Sequence, residues 1–371
     1  MKKLRTIDLF SGCGGAALGL RRFSKVVAYC EQDPECVRVL QKNMQLGHLD
    51  KAPIVRDVQK FPPDLMDVDL LSGGWPCTNH SRFGNLEGFQ GESGLFLAMM
   101  KIIEHYLPSY CFFENVDNLR SMPHEWRTVL KRMNSAGYDC WWAIVSASNC
   151  GAHHRRKRWF LGARRRGTTL SISIPPIDLE LNRPWNYHTF KFSKTSGTPW
   201  EPKLARLIKH GDMNRLRMCG NICVPLQATL AFSIVFGGMI KPVRKIGMMQ
   251  HNIMPSTGCY VNGVLYESDP LPLKEPRKLN LVFRYSKEPG HFRKHRNELP
   301  MLEGEKMLTR WSTPRAKAGH IPVRALTSRT IRDLAVQLRF EKGTKESEQW
   351  NKLVNPLWLE WLSGLPSNFT Q

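Results

Sequence analysis

Short apolar runs alternate with stretches of helical periodicity from the start of the chain to about residue 163. Residues 6–10 read as a strand, 15–23 carry helical spacing, 26–31 form a second strand, and 34–44 form a helix with Pro34 in its first turn. Ile54 and Val55 make a short third strand. Residues 68–71 make a buried one that ends in a tight turn at Gly73-Gly74-Trp75-Pro76-Cys77. Residues 94–106 are amphipathic, with Leu95, Met99, Ile102 and Ile103 on one side. A strand at 110–113, a helix near 126–136 and strands at 141–146 and 158–163 complete the series. Such alternation predicts a mainly parallel sheet covered by helices on both faces, an α/β fold.

From 166 to 206 the pattern dissolves among Pro175, Pro176, Pro184 and Pro199, which suggests an extended connection. Periodicity returns at 224–236 as a strongly apolar piece. Beyond Gly237-Gly238 the chain is rich in Lys, Arg, Pro and short β-like runs such as 259–261 and 279–285. The expected division is a catalytic domain over 1–238 and a smaller, irregular, β-rich domain over 239–371.

Composition adds a partner. Lys and Arg number 54 against 32 acids, a net charge of +22, and so large an excess argues for a polyanion such as nucleic acid. Arg155, Arg156, Lys157, Arg158, Arg164, Arg165 and Arg166 crowd together with no acid among them. The ten cysteines show no CxxC pair and no zinc spacing, so no metal is expected, and free thiols point to a reducing compartment. The first residues lack the apolar stretch of a secretory signal, and no run approaches ~18 uninterrupted apolar residues, so no membrane span is expected.

Three pieces carry chemistry. A glycine-rich turn follows the first strand at Asp8-Leu9-Phe10-Ser11-Gly12-Cys13-Gly14-Gly15, where backbone can approach a ligand and helix-start N–H groups stay free. Glu31 ends the second strand about twenty residues on, placed for ribose hydroxyls, and Asp57 follows the third strand, placed for an adenine amino group. Either acid could instead be a helix cap. Cys77, after a proline and before polar Thr78, Asn79, His80 and Ser81, sits on a loop at the sheet rim, and Glu114 closes another strand beside Asn115. A nucleophilic cysteine, a carboxyl partner and an adenosine-type cofactor in one site is the reading.

With these residues in view, the chain resembles the cytosine-5 DNA methyltransferases. Residues 8–15 match the family's cofactor loop, Pro76-Cys77 with Ser81 its nucleophile loop, and Glu114-Asn115-Val116 its acid motif. Gly151-Ala152-His153-His154-Arg155-Arg156-Lys157-Arg158 is similar to its arginine motif, and Gly220-Asn221-Ile222-Cys223-Val224-Pro225 to its final cofactor motif. Trp311 to Pro314 and Pro356 to Gly364 resemble versions from phages and large algal viruses. Two positions depart from the pattern: Thr78 stands for the usual Gln and His153 for a proline, both near DNA or the flipped base.

The resemblance implies a Rossmann-like, S-adenosylmethionine-dependent methyltransferase sheet, with residues 239–371 as a target-recognition domain. It assigns catalysis to Cys77, Glu114, Arg156 and Arg158, with Arg158 on the base's O2 and Arg156 supporting the catalytic loop. The cofactor is assigned to Phe10, Ser11, Gly12, Gly14, Glu31, Gln32, Asp57, Val58, Asn221 and Ile222, and the substrate to Ser81 and Asn115. Cys77 would attack C6 of a cytosine flipped out of duplex DNA, and C5 would then accept the methyl group. A monomer acting inside a cell, in bacterial cytoplasm or in a virus-infected host, is expected. A tRNA methyltransferase of the same fold is disfavoured because Cys111 is followed by Phe112-Phe113 rather than Phe-Thr. A catalytically dead DNA-binding relative is disfavoured by the retention of Cys77, Glu114, Arg156 and Arg158.

Overall fold

The protein is described by a computed structural model. It covers residues 2–61, 67–76, 94–152, 154–174, 205–207 and 212–273, with short pieces at 281–284, 305–308, 352–354, 360, 363–366 and 369–371. Its centre is a ten-stranded sheet. Five strands run parallel: β1 (Leu4–Leu9), β2 (Ser24–Cys30), β3 (Ile54–Val55), β4 (Leu70–Gly73) and β5 (Tyr110–Val116). They are joined by α1 (Gly15–Leu20), α2 (Pro34–Gln45) and α3 (Gly94–Tyr106). Helix α4 (Pro123–Ser135) leads to β6 (Tyr138–Ser146), which returns as β7 (Lys157–Arg165). In space the order is β3-β2-β1-β4-β5-β7-β6, with β7 inserted antiparallel between β5 and β6.

The mainly parallel expectation therefore holds only as far as β5. Residues 146–157 make a tight return, with Ser146 and Asn149 bonded reciprocally and Gly151 at φ +97°, so the chain cannot cross over and β7 must run back. The sheet also crosses the expected boundary at 238. Strands β9 (Arg244–Lys245), β10 (Thr257–Val261) and β11 (Val264–Glu267) extend it antiparallel in the order β6-β10-β11-β9, with Thr257 opposite Ala143. β8 (Ala205–Leu207) lies outside that sheet.

Both faces are apolar because the strands alternate. On β5, Cys111 and Phe113 face the core under α3 and α4, while Tyr110 and Phe112 face the core under α6 (Pro225–Phe236). Helix α6 is buried on every side from Pro225 to Val235, as an all-round apolar helix must be. With the preceding α5 (Asp212–Asn221) it forms an apolar stretch, Asn214–Phe236, long enough to cross a membrane by composition. The stretch breaks at 222–224 and is mostly buried within the protein, so core packing accounts for its apolarity. The small polar groups of α6 tie it down. Gln227 Nε2 donates to the Val145 and Arg156 carbonyls at 2.8 and 2.7 Å, and Thr229 Oγ1 donates to Gly19 O at 2.6 Å. Gly19 is needed there: a Cβ would fall 2.2 Å from the Pro225 carbonyl oxygen.

Candidate functional site

The strand order reverses between β1 and β4, and ligands of open α/β sheets bind beyond the carboxyl ends of the strands at such a point. Three chain segments leave the sheet at this rim: 10–14 after β1, 74–76 after β4, and 117–121 after β5. The start of β7 and the end of β6 share the rim, since Arg158 pairs with Val116 and with Val145.

The cofactor side is a cradle of backbone. Phe10 has φ +54°, a left-handed conformation that costs a non-glycine residue energy and is typically kept at functional turns. Gly12 has φ +55° and open space where a Cβ would stand; Gly14, at φ +89°, precedes α1 as its N-cap. Ser11 Oγ donates to Asp8 O at 2.7 Å, closing the turn. Glu31 holds the loop from the neighbouring strand: Oε2 accepts from Gly12 N at 2.7 Å and Oε1 from Asp33 N at 2.8 Å. Burial pushes its carboxyl above the usual range, against those two hydrogen bonds and with the charge of Asp33 adding to the rise. Gln32 is exposed beside it, its carbonyl accepting from Arg56 Nη2 at 2.9 Å.

Asp57 uses one oxygen as a cap, accepting from Gln59 N at 2.9 Å, and Val58 is buried in the core beside Phe10. Ile222 lies buried under the loop, where a Cβ on Gly15 would meet its Cγ1 at 2.4 Å, and Asn221 is exposed at the end of α5. The structure thus brings Phe10, Ser11, Gly12, Gly14, Glu31 and Ile222 together. An open glycine cradle, a raised carboxyl and an apolar wall at Val58 fit an adenosine-type group with ribose hydroxyls.

The other side of the rim centres on one ion pair. Arg158 Nε stands 2.7 Å from Glu114 Oε1, with side-chain exposures of only 16% and 20%, so the pair is shielded but reachable. Gly74 lets the turn after β4 pass this carboxyl, since a Cβ there would lie 2.8 Å from Glu114 O and 3.1 Å from Oε2. Trp75 anchors the same turn, buried against Phe96, Phe113 and Trp159 with ring centroids 5.1–6.4 Å apart. Asn115, expected on the substrate, is buried. Its Nδ2 donates to Trp75 O at 3.4 Å and its Oδ1 accepts from Val116 N at 2.8 Å, so here it orients the loop.

Cys77, Ser81, Thr78 and His153 lie outside the described residues. The nine described cysteines are all free and buried, with burial pushing the Cys30 and Cys36 thiols up to about 12. Such thiols are inert at neutral pH.

Arg156, expected to support the catalytic loop, makes its described side-chain contacts at the end of α5. It is buried at φ +32°, and its guanidinium donates to Gly220 O at 3.0 Å from both Nη atoms and to Ile222 O at 2.5 Å. Those are carbonyls that the end of α5 leaves without a helical partner, so Arg156 fixes the turn under the cofactor loop. The arginine-rich run is likewise not one surface patch. Arg156 is inside, Arg158 pairs with Glu114, and Arg164 to Arg166 stand at the far end of β7 from the rim, where Arg166 meets Asp139 at 3.1 Å.

Two further acids contribute without having been assigned a role from the sequence. Asp8 is fully buried: Oδ1 accepts from Ser72 Oγ at 2.6 Å, and Oδ2 has no hydrogen-bond partner among the described residues. Burial pushes its carboxyl up to about 6, the Ser72 and Ser11 hydroxyls working the other way. Asp33 caps α2, accepting from Glu35 N at 2.9 Å, and also pairs with Arg217 of α5. Only the Asp33-Pro34 pair, a cap before a first-turn proline, was a readable signal.

A family model described as C-5 cytosine-specific DNA methylase matches residues 4–216. The type II methyltransferase M.CviJI of Paramecium bursaria Chlorella virus IL3A is 28% identical, over 98% of this chain and 97% of its own length. The type II methyltransferases M.NgoPII of Neisseria gonorrhoeae and M.DsaV of Dactylococcopsis salina are 28% and 32% identical. Those matches cover 46% and 43% of this chain, and 51% and 45% of the bacterial proteins.

Proposed function

The chain belongs to the C-5 cytosine-specific DNA methylase family, and we propose that it methylates cytosine in duplex DNA at one target sequence through a covalent Cys77 adduct, reading that target with residues 239–371. The observation that carries the catalytic reading is the Glu114–Arg158 pair at the rim, beside the Trp75-Pro76 turn and across from the glycine cradle.

C5 of cytosine is a weak nucleophile. Addition of the Cys77 thiolate to C6 forms a C–S bond and makes C5 electron-rich, dividing one difficult step into easier ones. Glu114 in its acid form donates its proton to N3 and so neutralises the charge that develops there, while Arg158 keeps the carboxyl oriented and reaches O2. S-adenosylmethionine, when bound, supplies an electrophilic methyl group. Phe10, Gly12, Glu31, Asp57, Val58, Asn221 and Ile222 would hold it, Glu31 by accepting from ribose hydroxyls. Loss of the C5 proton then expels Cys77 and restores the aromatic ring. Asn115 and Arg156 position the nucleophile loop and the cofactor wall respectively. The target atom is unreachable in a stacked duplex, so the base is flipped out, and surface cations hold the phosphates.

The test is adduct trapping. Duplex DNA carrying 5-fluorocytosine at the target should give a denaturation-resistant complex with the parent and none with Cys77→Ser, because fluorine cannot leave as the C5 proton does. A parent that methylates DNA yet traps nothing excludes the covalent route. Labelled cofactor offered with duplex DNA and with tRNA separates the two substrates.

A further inference from the structure

Residues 247–256 lie at the same rim as the catalytic loops, because β10 begins at Thr257 opposite Ala143 and Ile144 N donates to Ser256 O at 2.9 Å. Their backbone is clamped from the segment that follows the acid motif. Arg120 Nε donates to Met254 O at 2.8 Å, and Met254 N donates back to Arg120 O at 2.9 Å. From α4, Arg127 donates to Met248 O at 3.0 Å, Met249 O at 3.3 Å and His251 O at 2.9 Å. The Trp142 indole N–H donates to Pro255 O at 3.0 Å, and Met254 is buried below.

A loop fixed so tightly nevertheless turns its apolar side chains outward. Met249 is 71% exposed and Ile253 60%, and Gln250 and Asn252 are exposed residues between them. Lys241 and Lys245 are exposed just upstream, beside Arg244 in its pair with Glu267, and residues 239–256 contain no acid. Clamping spares the entropy of ordering a loop on binding. Side-chain amides can bond adenine edges, aliphatic tips can meet thymine methyls or press between base steps, and nearby cations suit phosphates. A second copy of this chain would bring the same positive surface against itself.

We propose that the 247–256 loop is a DNA-reading element lying in the groove beside the target cytosine, with Gln250 and Asn252 on base edges and Met249 and Ile253 against the base stack. The proposal rests on the DNA methyltransferase reading above and assigns its recognition to named side chains.

Full-length parent, Q250A/N252A and M249S/I253S would be assayed on a duplex library of randomised sequence, read by bisulfite sequencing, with sedimentation, thermal unfolding and cofactor titration alongside. Q250A/N252A should relax discrimination by about tenfold or more at one or more positions of the target. M249S/I253S should raise KM for DNA by about tenfold while unfolding temperature and cofactor affinity stay at parent values. An unchanged target pattern together with an unchanged KM for DNA in both variants overturns the proposal. So does a dimeric parent that M249S/I253S converts to monomer with its DNA affinity intact. A parent that methylates no duplex overturns the underlying reading and this proposal with it, which distinguishes that failure from a fault in the loop alone.

Discussion

Arg215 on α5 and Glu360 near the C-terminus form an ion pair buried on both sides, with Nη2 2.8 Å from Oε1. The contact closes the chain on itself. Glu360 Oε1 also accepts from Thr370 N at 2.8 Å and from its hydroxyl, and Asn43 Nδ2 of α2 donates to Phe369 O at 2.8 Å. Leu365 and Phe369 share a core with Cys13, Leu18 and Ile222, so the tail packs behind the cofactor loop.

Glu360→Ala should destabilise the protein by about 3–5 kcal/mol, because it leaves the Arg215 cation buried without its partner. Replacing both, as Arg215→Met with Glu360→Leu, should recover only part of the loss: the apolar pair needs no partner, but the buried Thr370 N–H and hydroxyl lose the acceptor that Glu360 gave them. Urea unfolding of the three variants checks this; a single variant as stable as the parent contradicts the burial.

Glu31→Ala should weaken S-adenosylmethionine binding by about 1.5–3 kcal/mol, the worth of hydrogen bonds to a charged group. The loss has two sources: the ribose contact, and the Gly12 N–H that Glu31 now holds at 2.7 Å. Titration calorimetry measures it, and an unchanged affinity would remove Glu31 from the cofactor site.

The sequence shows the strands and helices through β5 because the two periodicities there are clean and each turn carries glycine, proline or a capping acid. Helix α3 falls at 94–106 as expected, and the Val224 to Phe236 piece is α6. The reversal of β7 was not legible, since strand direction is fixed by a return whose only local mark is Gly151. Nor was the position of Arg156. Arginines two apart on an extended segment look equivalent, yet the φ of +32° turns one inward to the carbonyls at the end of α5 and leaves its neighbour to Glu114. The tail contact was invisible because Asn43 and Phe369 are 326 residues apart, with nothing local to announce the pairing.

Asp8 gives the stability a pH signature. Burial raises its folded pKa to about 6 from an unfolded value near 3.8, so the native state holds the proton more tightly. Its ionisation therefore opposes folding fully above about pH 6, and the penalty fades as pH falls from 6 toward 3.8. Asp8→Asn removes the charge while keeping an oxygen for the Ser72 hydroxyl. Its stability relative to the parent should rise by about 2–3 kcal/mol between pH 4 and pH 7. Urea midpoints at the two pH values decide the matter, and a difference that does not change with pH contradicts the raised carboxyl.

Gly74→Ala should separate catalysis from cofactor binding. The added Cβ would stand 2.8 Å from the Glu114 carbonyl oxygen and 3.1 Å from Oε2, so either the nucleophile loop or the carboxylate must move. The backbone carbonyl belongs to β5, where Glu114 pairs with Phe160 of β7, so it yields less readily than a loop. The displacement then falls on the loop that carries Cys77, or on the Glu114 side chain and its Arg158 partner. Misplacement of a catalytic group by about 1 Å costs on the order of a hundredfold in rate. The expected result is kcat lowered to that degree, with S-adenosylmethionine affinity within about twofold of the parent, because Phe10, Gly12 and Glu31 belong to other loops. Single-turnover methylation with parallel cofactor titration reads both quantities. Equal loss of cofactor affinity would mean that the two halves of the site move together, and a parental kcat would mean that the loop has room at Gly74 to spare.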